Sequence, residues 1–353
     1  MPVVSAPVVA LPRHQVTTDE VLERLAELYP DHPRSADIRR IIGATTVRTR
    51  WYTRPLADQL RKEYSLVERT REHLADSLDI AEKAARGSLR EAGLEPSDVD
   101  ALVVASATGH TIPGLDIPLM ARLGLRPSVR RVPVTQLGCA GGVFGISTAM
   151  DLVAARPGAT VLVVCADVFS HYLHRGDQGM DGMIFKGILG DGAGACVVRS
   201  RASGPHMELT GSWECVQPGS HHLVGSDTHG DGLHAHNSPG LLNAIRGLLP
   251  RLGDWLARTA PEGPDNAPEF IVSHTGSPKI LDCLEEGFGC PPEMFDRARD
   301  SLREVGNLGS ASVLEVLERT FAKPPAEGAR GVVLGVGPGI FMTAVRATWR
   351  QGV

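Results

Sequence analysis

The sequence is poor in aromatics, at 5% Phe, Trp and Tyr, and its basic residues form no run. With a net charge of only -5, no strong field extends over the surface, and nucleic acid is excluded as an expected partner. No apolar run approaches the ~20 residues that span a bilayer. The opening "MPVVSAPVVALPRHQ" has no basic region before its apolar stretch and is broken by prolines, so it is a poor signal peptide. Cysteine is sparse: Cys139, Cys165, Cys196, Cys215, Cys283 and Cys290 form no CxxC pair and are too few for a disulfide framework in 353 residues. Reduced thiols in a cytoplasm are expected.

What is present is ordinary globular material, 42% hydrophobic and 22% charged, long enough for two packed halves. Helical spacing predicts helices near Thr18–Leu28, Ser65–Leu78 and Leu78–Gly93. "DALVVASAT" (100–108), Val132–Leu137, "TVLVVCAD" (160–167) and the end of "GDGAGACVVRS" (190–200) read as strands, with a helix over Val143–Ala155. Continuous apolar strands alternating with helices indicate a sheet covered on both faces, hence an α/β fold. From about Gly204 the pattern restarts: "EFIVSHTG" (269–276) echoes "DALVVASATG" (100–109), a helix follows at 311–321, and 331–348 forms strand, turn and strand. We expect two similar halves, residues 1–203 and 204–353, sharing one core, with "APEGPDNAPEF" as a solvated loop in the second.

In "TQLGCAGGVFG" a single cysteine stands where an extended run becomes a helix. There Cys139 would project from the carboxyl edge of the sheet at a helix N-terminus, whose unpaired N–H groups lower a thiol's pKa. Gly138, Ala140, Gly141 and Gly142 would leave space for an acyl group. On this context alone Cys139 is equally well a small buried hydrophobe. His274 ends a buried strand in the second half, so a nucleophile–base pair could form from corresponding edges. Asn307, between two glycines before a helix, could donate to an oxyanion, or simply cap a turn.

Two segments invite other chemistry. "SHHLVGSDTHGDGLHAH" (220–236) holds five histidines with Asp227 and Asp231, but no ligand spacing that closes a metal site, so no metal is expected. "GVGPG" (335–339) is half a dinucleotide fingerprint, but Pro338 occupies the turn and an acidic ribose reader is missing.

Together, "LGLRPSVRRVPVTQLGCAGG", "GATVLVVCADV", "GILGDGAGACVV", "SHTGSPKILD", "GNLGSASVLEVLE" and "GVGPGIFMT" resemble, in this order, the type III polyketide synthases, the chalcone synthase-like branch of the thiolase superfamily. The resemblance runs over nearly the whole chain. It implies a homodimer of αβαβα-layered subunits and a Cys139–His274–Asn307 triad. Cys139 would accept a starter from an acyl-CoA, His274 would hold the thiolate as an ion pair, and His274 with Asn307 would stabilise the enolate left when malonyl-CoA loses CO2. Repeated condensation and cyclisation would give a pyrone or phenolic product, with coenzyme A thioesters as substrates and no cofactor or acyl carrier protein.

Departures from the plant pattern carry further expectations. Leu189 replaces a gatekeeping Phe, Gly309 replaces a serine and empties volume near the nucleophile, and Ile112 occupies the position that reaches into the partner subunit's pocket. Pro338 would also line the pocket. Arg40 matches a phosphate-binding arginine, Gly276 and Ser277 would contact CoA, and Ala44 stands where plant enzymes carry lysine. The Ala- and Arg-rich composition looks bacterial. One rival is a ketoacyl-ACP synthase III-like enzyme, which shares the triad but uses a carrier protein. The "GLRPSVRRV" approach to the cysteine and the GVGPG loop favour the polyketide reading. Another rival is a non-catalytic thiolase-fold subunit, disfavoured because all three triad residues stand.

Overall fold

The computed structural model describes residues 1–59, 65–173, 175–229, 232–259 and 267–352. Most of the proline-rich loop expected at 260–270 therefore lies outside the described residues, as does Asp231 of the His-rich segment.

A mixed ten-stranded sheet organises the molecule. In the first half Ala101–Ser106 runs parallel to both Arg130–Thr135 and Val161–Asp167. Gly192–Arg199 then pairs antiparallel with Val161–Asp167, and Val3–Ser5 and Val8–Ala10 pair antiparallel with Gly192–Arg199. The second half repeats the order: Phe270–Ser273 is parallel to Arg330–Gly337, followed by antiparallel Phe341–Arg350 and His206–Val216. Val3–Ser5 pairs with both Gly192–Arg199 and His206–Val216 and so joins the halves.

Helices cover the sheet in layers. Gly141–Ala155 packs on strands of both halves, and Ser312–Ala322 packs beside it. Leu66–Glu91 covers the outside of the first half, and Leu241–Arg258 with Pro278–Phe288 covers the second. This is the αβαβα arrangement implied by the resemblance. Every residue of Val161–Asp167 is buried, as expected of a strand with helices on both faces. Each fully buried Val or Leu there contributes ~1.5–3 kcal/mol of transfer free energy.

Three local expectations need revision. Ser65–Leu78 and Leu78–Gly93 are one helix, Leu66–Glu91, started by a Ser65–Glu68 capping box. Nothing near Leu78 breaks it, and the buried face runs on through Ser77, Ala81, Ala84, Ala85 and Ser88. The strand before Cys139 ends at Thr135 rather than Leu137, because Gln136 takes a left-handed φ of 61°. Gly138–Ala155 is long and apolar enough on composition alone to cross a bilayer. Here it is the turn and helix buried between the two halves, which is why its polar face is missing.

Candidate active site

Cys139 sits in a short 3₁₀ turn, Gly138–Ala140, that feeds the helix Gly141–Ala155. The glycines around it do not hold space open. A Cβ on Gly142 would lie 2.2 Å from the Ser310 carbonyl oxygen, and one on Gly138, at φ 54°, would lie 2.3 Å from Pro338 Cδ. Small residues are required because the two halves close on each other at this turn. The "GVGPG" segment supplies the opposing surface, so it packs on the cysteine turn rather than cradling a phosphate.

From the second half, Asn307 arrives on a loop clamped by backbone bonds: its N–H donates to Ile188 O at 2.8 Å, and its carbonyl accepts from Gly190 N at 3.0 Å. The side-chain amide is oriented as firmly. Its Oδ1 accepts from Gly309 N at 2.9 Å and Ser312 Oγ at 3.1 Å. Both ends of the amide stand 3.5 Å from Cys139 Sγ, the thiol donating to Oδ1 or accepting from Nδ2, and Nδ2 also donates to Gly276 O at 3.1 Å. His274 follows the strand Phe270–Ser273, its N–H donating to Leu334 O at 3.0 Å. Gly276 leaves its Nε2 uncovered, since a Cβ there would lie 3.0 Å from that nitrogen.

Cys139, His274 and Asn307 line one cavity of about 560 Å³. Leu189, Gly276, Ser277 and Pro338 line it too. Its lining includes the apolar Ile184, Phe185, Ile188 and Ile280 as well as the polar Thr108, His110 and Tyr172. The His-rich segment, to which the sequence assigned no role, forms the antiparallel hairpin Val224–His229 with Gly232–Asn237 and contributes Val224, Leu233 and His236 to the wall. Among the described residues no group of three His, Cys, Asp or Glu could hold a metal ion.

Three other predicted residues stand elsewhere. Gly309 does not empty volume beside the nucleophile. It has φ 60°, and a Cβ there would meet Asp167 Oδ2 at 2.5 Å and the Phe169 ring at 2.7 Å, so those side chains already fill the room. Ile112 is fully exposed at 101% and is not among the described residues lining the Cys139 cavity. Arg40 is exposed and bonded to Asp37 at 3.1 Å. It borders a separate groove against the helix Thr18–Leu28, not the Cys139 cavity.

Electrostatics differ from the expectation of a thiol lowered by the helix N-terminus. Burial pushes the Cys139 thiol up to about 11, opposed by the hydrogen bond from Asn307 and reinforced by Asp167. Burial also pushes the His274 imidazole down to about 4. Its buried Nδ1 has no hydrogen-bond partner among the described residues, so no carboxylate supports an imidazolium. Both shifts favour the uncharged forms, because burial penalises thiolate and imidazolium alike.

Asp167 is the residue sequence reasoning missed. Fully buried at the end of Val161–Asp167, it accepts from Ala107 N at 2.6 Å, Thr108 N at 3.1 Å and Ser310 N at 2.7 Å, as well as from Ser310 Oγ at 2.7 Å. It thereby ties a strand end of the first half to the loop carrying Asn307. Burial raises its pKa against those bonds. The signal was an acidic residue closing the apolar run "VLVVCAD". Asp167→Asn turns one acceptor into a donor facing N–H groups, and should cost about 1–3 kcal/mol in urea unfolding.

The chain matches the family model for the N-terminal domain of chalcone and stilbene synthases over residues 6–202 and that for their C-terminal domain over 231–347. The chain belongs to the chalcone and stilbene synthase family. It is a type III polyketide synthase, an acyltransferase-type enzyme. Similar members include the 1,3,6,8-tetrahydroxynaphthalene synthase of Streptomyces griseus, 31% identical over 98% of this chain and 92% of that one. A phloroglucinol synthase of Pseudomonas fluorescens is 30% identical over 97% and 98%. Among solved structures, the tetrahydroxynaphthalene synthase of Streptomyces coelicolor superposes with a TM-score of 0.93 at 30% identity, covering 99% of this chain and 100% of that one. Germicidin synthase, from the same organism, gives 0.91 at 28%, covering 99% of each. Within this chalcone and stilbene synthase fold, the cavity joining Cys139, His274 and Asn307 is the candidate acyl-transfer site.

Proposed function

We propose that this polyketide synthase loads a fatty acyl group from coenzyme A onto Cys139, extends it with malonyl-CoA, and releases a pyrone or phenolic product. The observation that carries the reading is the convergence of a thiol, an imidazole and an oriented amide N–H on one cavity with an aliphatic wall. His274 Nε2 takes the thiol proton as sulfur attacks the starter thioester. The S–C bond to coenzyme A breaks, and the departing thiolate receives that proton. Malonyl-CoA then loses CO2: the C–C electron pair becomes an enolate, whose oxygen accepts from Asn307 Nδ2. The enolate carbon attacks the acyl carbonyl, expelling Cys139 and leaving a chain two carbons longer on coenzyme A. We assign Gly276 and Ser277, which line the cavity, to the thioester arm.

We also propose a cytoplasmic homodimer that works without a carrier protein. Support for the dimer is the sheet edge at Arg130–Thr135 and, on the same half, the fully exposed Ile112, an apolar side chain with nothing to cover it.

Each CH2 buried against Ile184, Ile188 and Leu189 contributes ~0.8 kcal/mol, so longer aliphatic starters should be favoured over coumaroyl-CoA. Mass spectrometry of products from a panel of acyl-CoAs with malonyl-CoA, with and without acyl carrier protein, tests the reading. Leu189→Phe should shift kcat/KM toward shorter starters. Products from malonyl-CoA alone, or an unchanged length profile in the variant, would overturn the starter assignment; products only with the carrier present would overturn the coenzyme A reading.

A further inference from the structure

Arg50 lies in the strand Thr49–Tyr52, is 0% exposed, and has no carboxylate bonded to it among the described residues. Its Nη2 donates to Gly187 O at 2.8 Å and to Thr18 Oγ1 at 2.7 Å, while Nε and Nη1 have no partner among the described residues. Burying a cation without a counter-ion is costly, and proteins seldom keep one that does nothing.

Its location gives it a task. Gly187 is next to last in the helix Met180–Ile188, so the guanidinium stands at the negative end of that helix and satisfies one of its orphan carbonyls. The two residues that follow, Ile188 and Leu189, start the turn whose Ile188 carbonyl and Gly190 N–H clamp the backbone of Asn307, and Leu189 and Asn307 form an isolated parallel bridge. Beneath that bridge, Gly190 and Gly306 both rest on the Arg50 stem: a Cβ on either would lie 3.4 or 3.5 Å from Arg50 Cβ. A Cβ on Gly190 would also come within 2.7 Å of Val305 O, and one on Gly306 within 2.8 Å of Ile188 O. The two loops are pressed backbone to backbone, with Arg50 as their common floor.

We propose that Arg50 is a positioning residue that holds the Gly187–Gly190 turn, and through it sets where Asn307 presents its amide to the reacting thioester. This rests on the assignment of Asn307 as an oxyanion donor. Arg50 touches neither substrate nor Cys139. Its effect must therefore pass through Asn307 and appear in the step that develops enolate charge, not in loading of the starter.

The test is a double-mutant cycle on the full-length enzyme, read as malonyl-CoA decarboxylation and, separately, as mass-detected acylation of Cys139. Removing an oxyanion donor costs ~10²–10³ in rate. A displaced donor should cost less, so Arg50→Met should lower kcat for decarboxylation about tenfold, with KM and starter acylation within about twofold of wild type. In an Asn307→Ala background, Arg50→Met should add nothing further. Multiplying effects in the double variant, an equal loss of acylation, or a folded Arg50→Met with wild-type decarboxylation would each overturn the proposal. Should Arg50→Met fail to fold, Arg50→Gln, which keeps a polar head but neither the charge nor the reach to Gly187 O, carries the same cycle with the same criteria. A wild-type enzyme without decarboxylase activity would instead count against the polyketide reading itself, so the two failures are distinguishable.

Discussion

Cys139→Ala is expected to abolish product formation from any acyl-CoA with malonyl-CoA while leaving the protein folded. The Sγ atom is the group that forms the thioester with the starter, and neither imidazole nor amide at this site can replace it. Loss of Sγ costs little structurally. It removes a 3.5 Å contact with Asn307, whose amide keeps its bonds to Gly276 O, Gly309 N and Ser312 Oγ. The melting temperature should therefore stay near wild type. The measurement is product by mass spectrometry beside a thermal melt, and polyketide made by a folded Cys139→Ala variant would end the covalent mechanism. Cys139→Gln, which places an amide carbonyl where the acyl group would be, should retain malonyl-CoA decarboxylation without condensation.

His274→Ala and Asn307→Ala should both be severe, but at different steps. Asn307 is neutral at every pH and acts only by donating, so Asn307→Ala should reduce malonyl-CoA decarboxylation by ~10²–10³ and still permit slow acylation of Cys139. His274 also removes the thiol proton. With the thiol pushed up to about 11, little thiolate exists at neutral pH without that base, so His274→Ala should slow acylation as well. The sign of the pH dependence follows. The base form of His274 is present above its depressed value of about 4 and is lost as pH falls through it, so wild-type acylation should fall only in strong acid. Acylation by His274→Ala should instead climb with pH as hydroxide does the work. Equal acylation rates in the two variants, measured by stopped alkylation and mass spectrometry, would contradict this division.

Cys139 and His274 stand out in local patterns because each lies just past the end of a strand, whereas Asn307, between a helix ending at Val305 and a turn starting at Gly309, reads locally as a turn cap as readily as a donor. Such junctions are written in short-range signals: an apolar run, then small or turn-forming residues. Gly309 shows where that kind of reading stops. Its absent side chain suggested empty room, but the room is taken by Phe169 and Asp167, which lie far away in sequence. The glycines beside Cys139 were likewise read as space, yet they let Ser310 and Pro338 approach. A missing side chain in a sequence does not say whether a void or a neighbour occupies its place.

By itself the sequence determined the alternation of buried strands and helices, since this follows from hydrophobic periodicity within a few residues, whereas Cys139, His274 and Asn307 were singled out together only through the resemblance to the type III polyketide synthases. Only the tertiary structure decided that a histidine-rich hairpin walls the cavity, that Asp167 ties the halves together, and that the Cys139 thiol is buried deeply enough to be pushed up. The physical reason is one of range. Periodicity acts between neighbours along the chain, whereas desolvation and close packing depend on which distant segments the fold brings against a side chain.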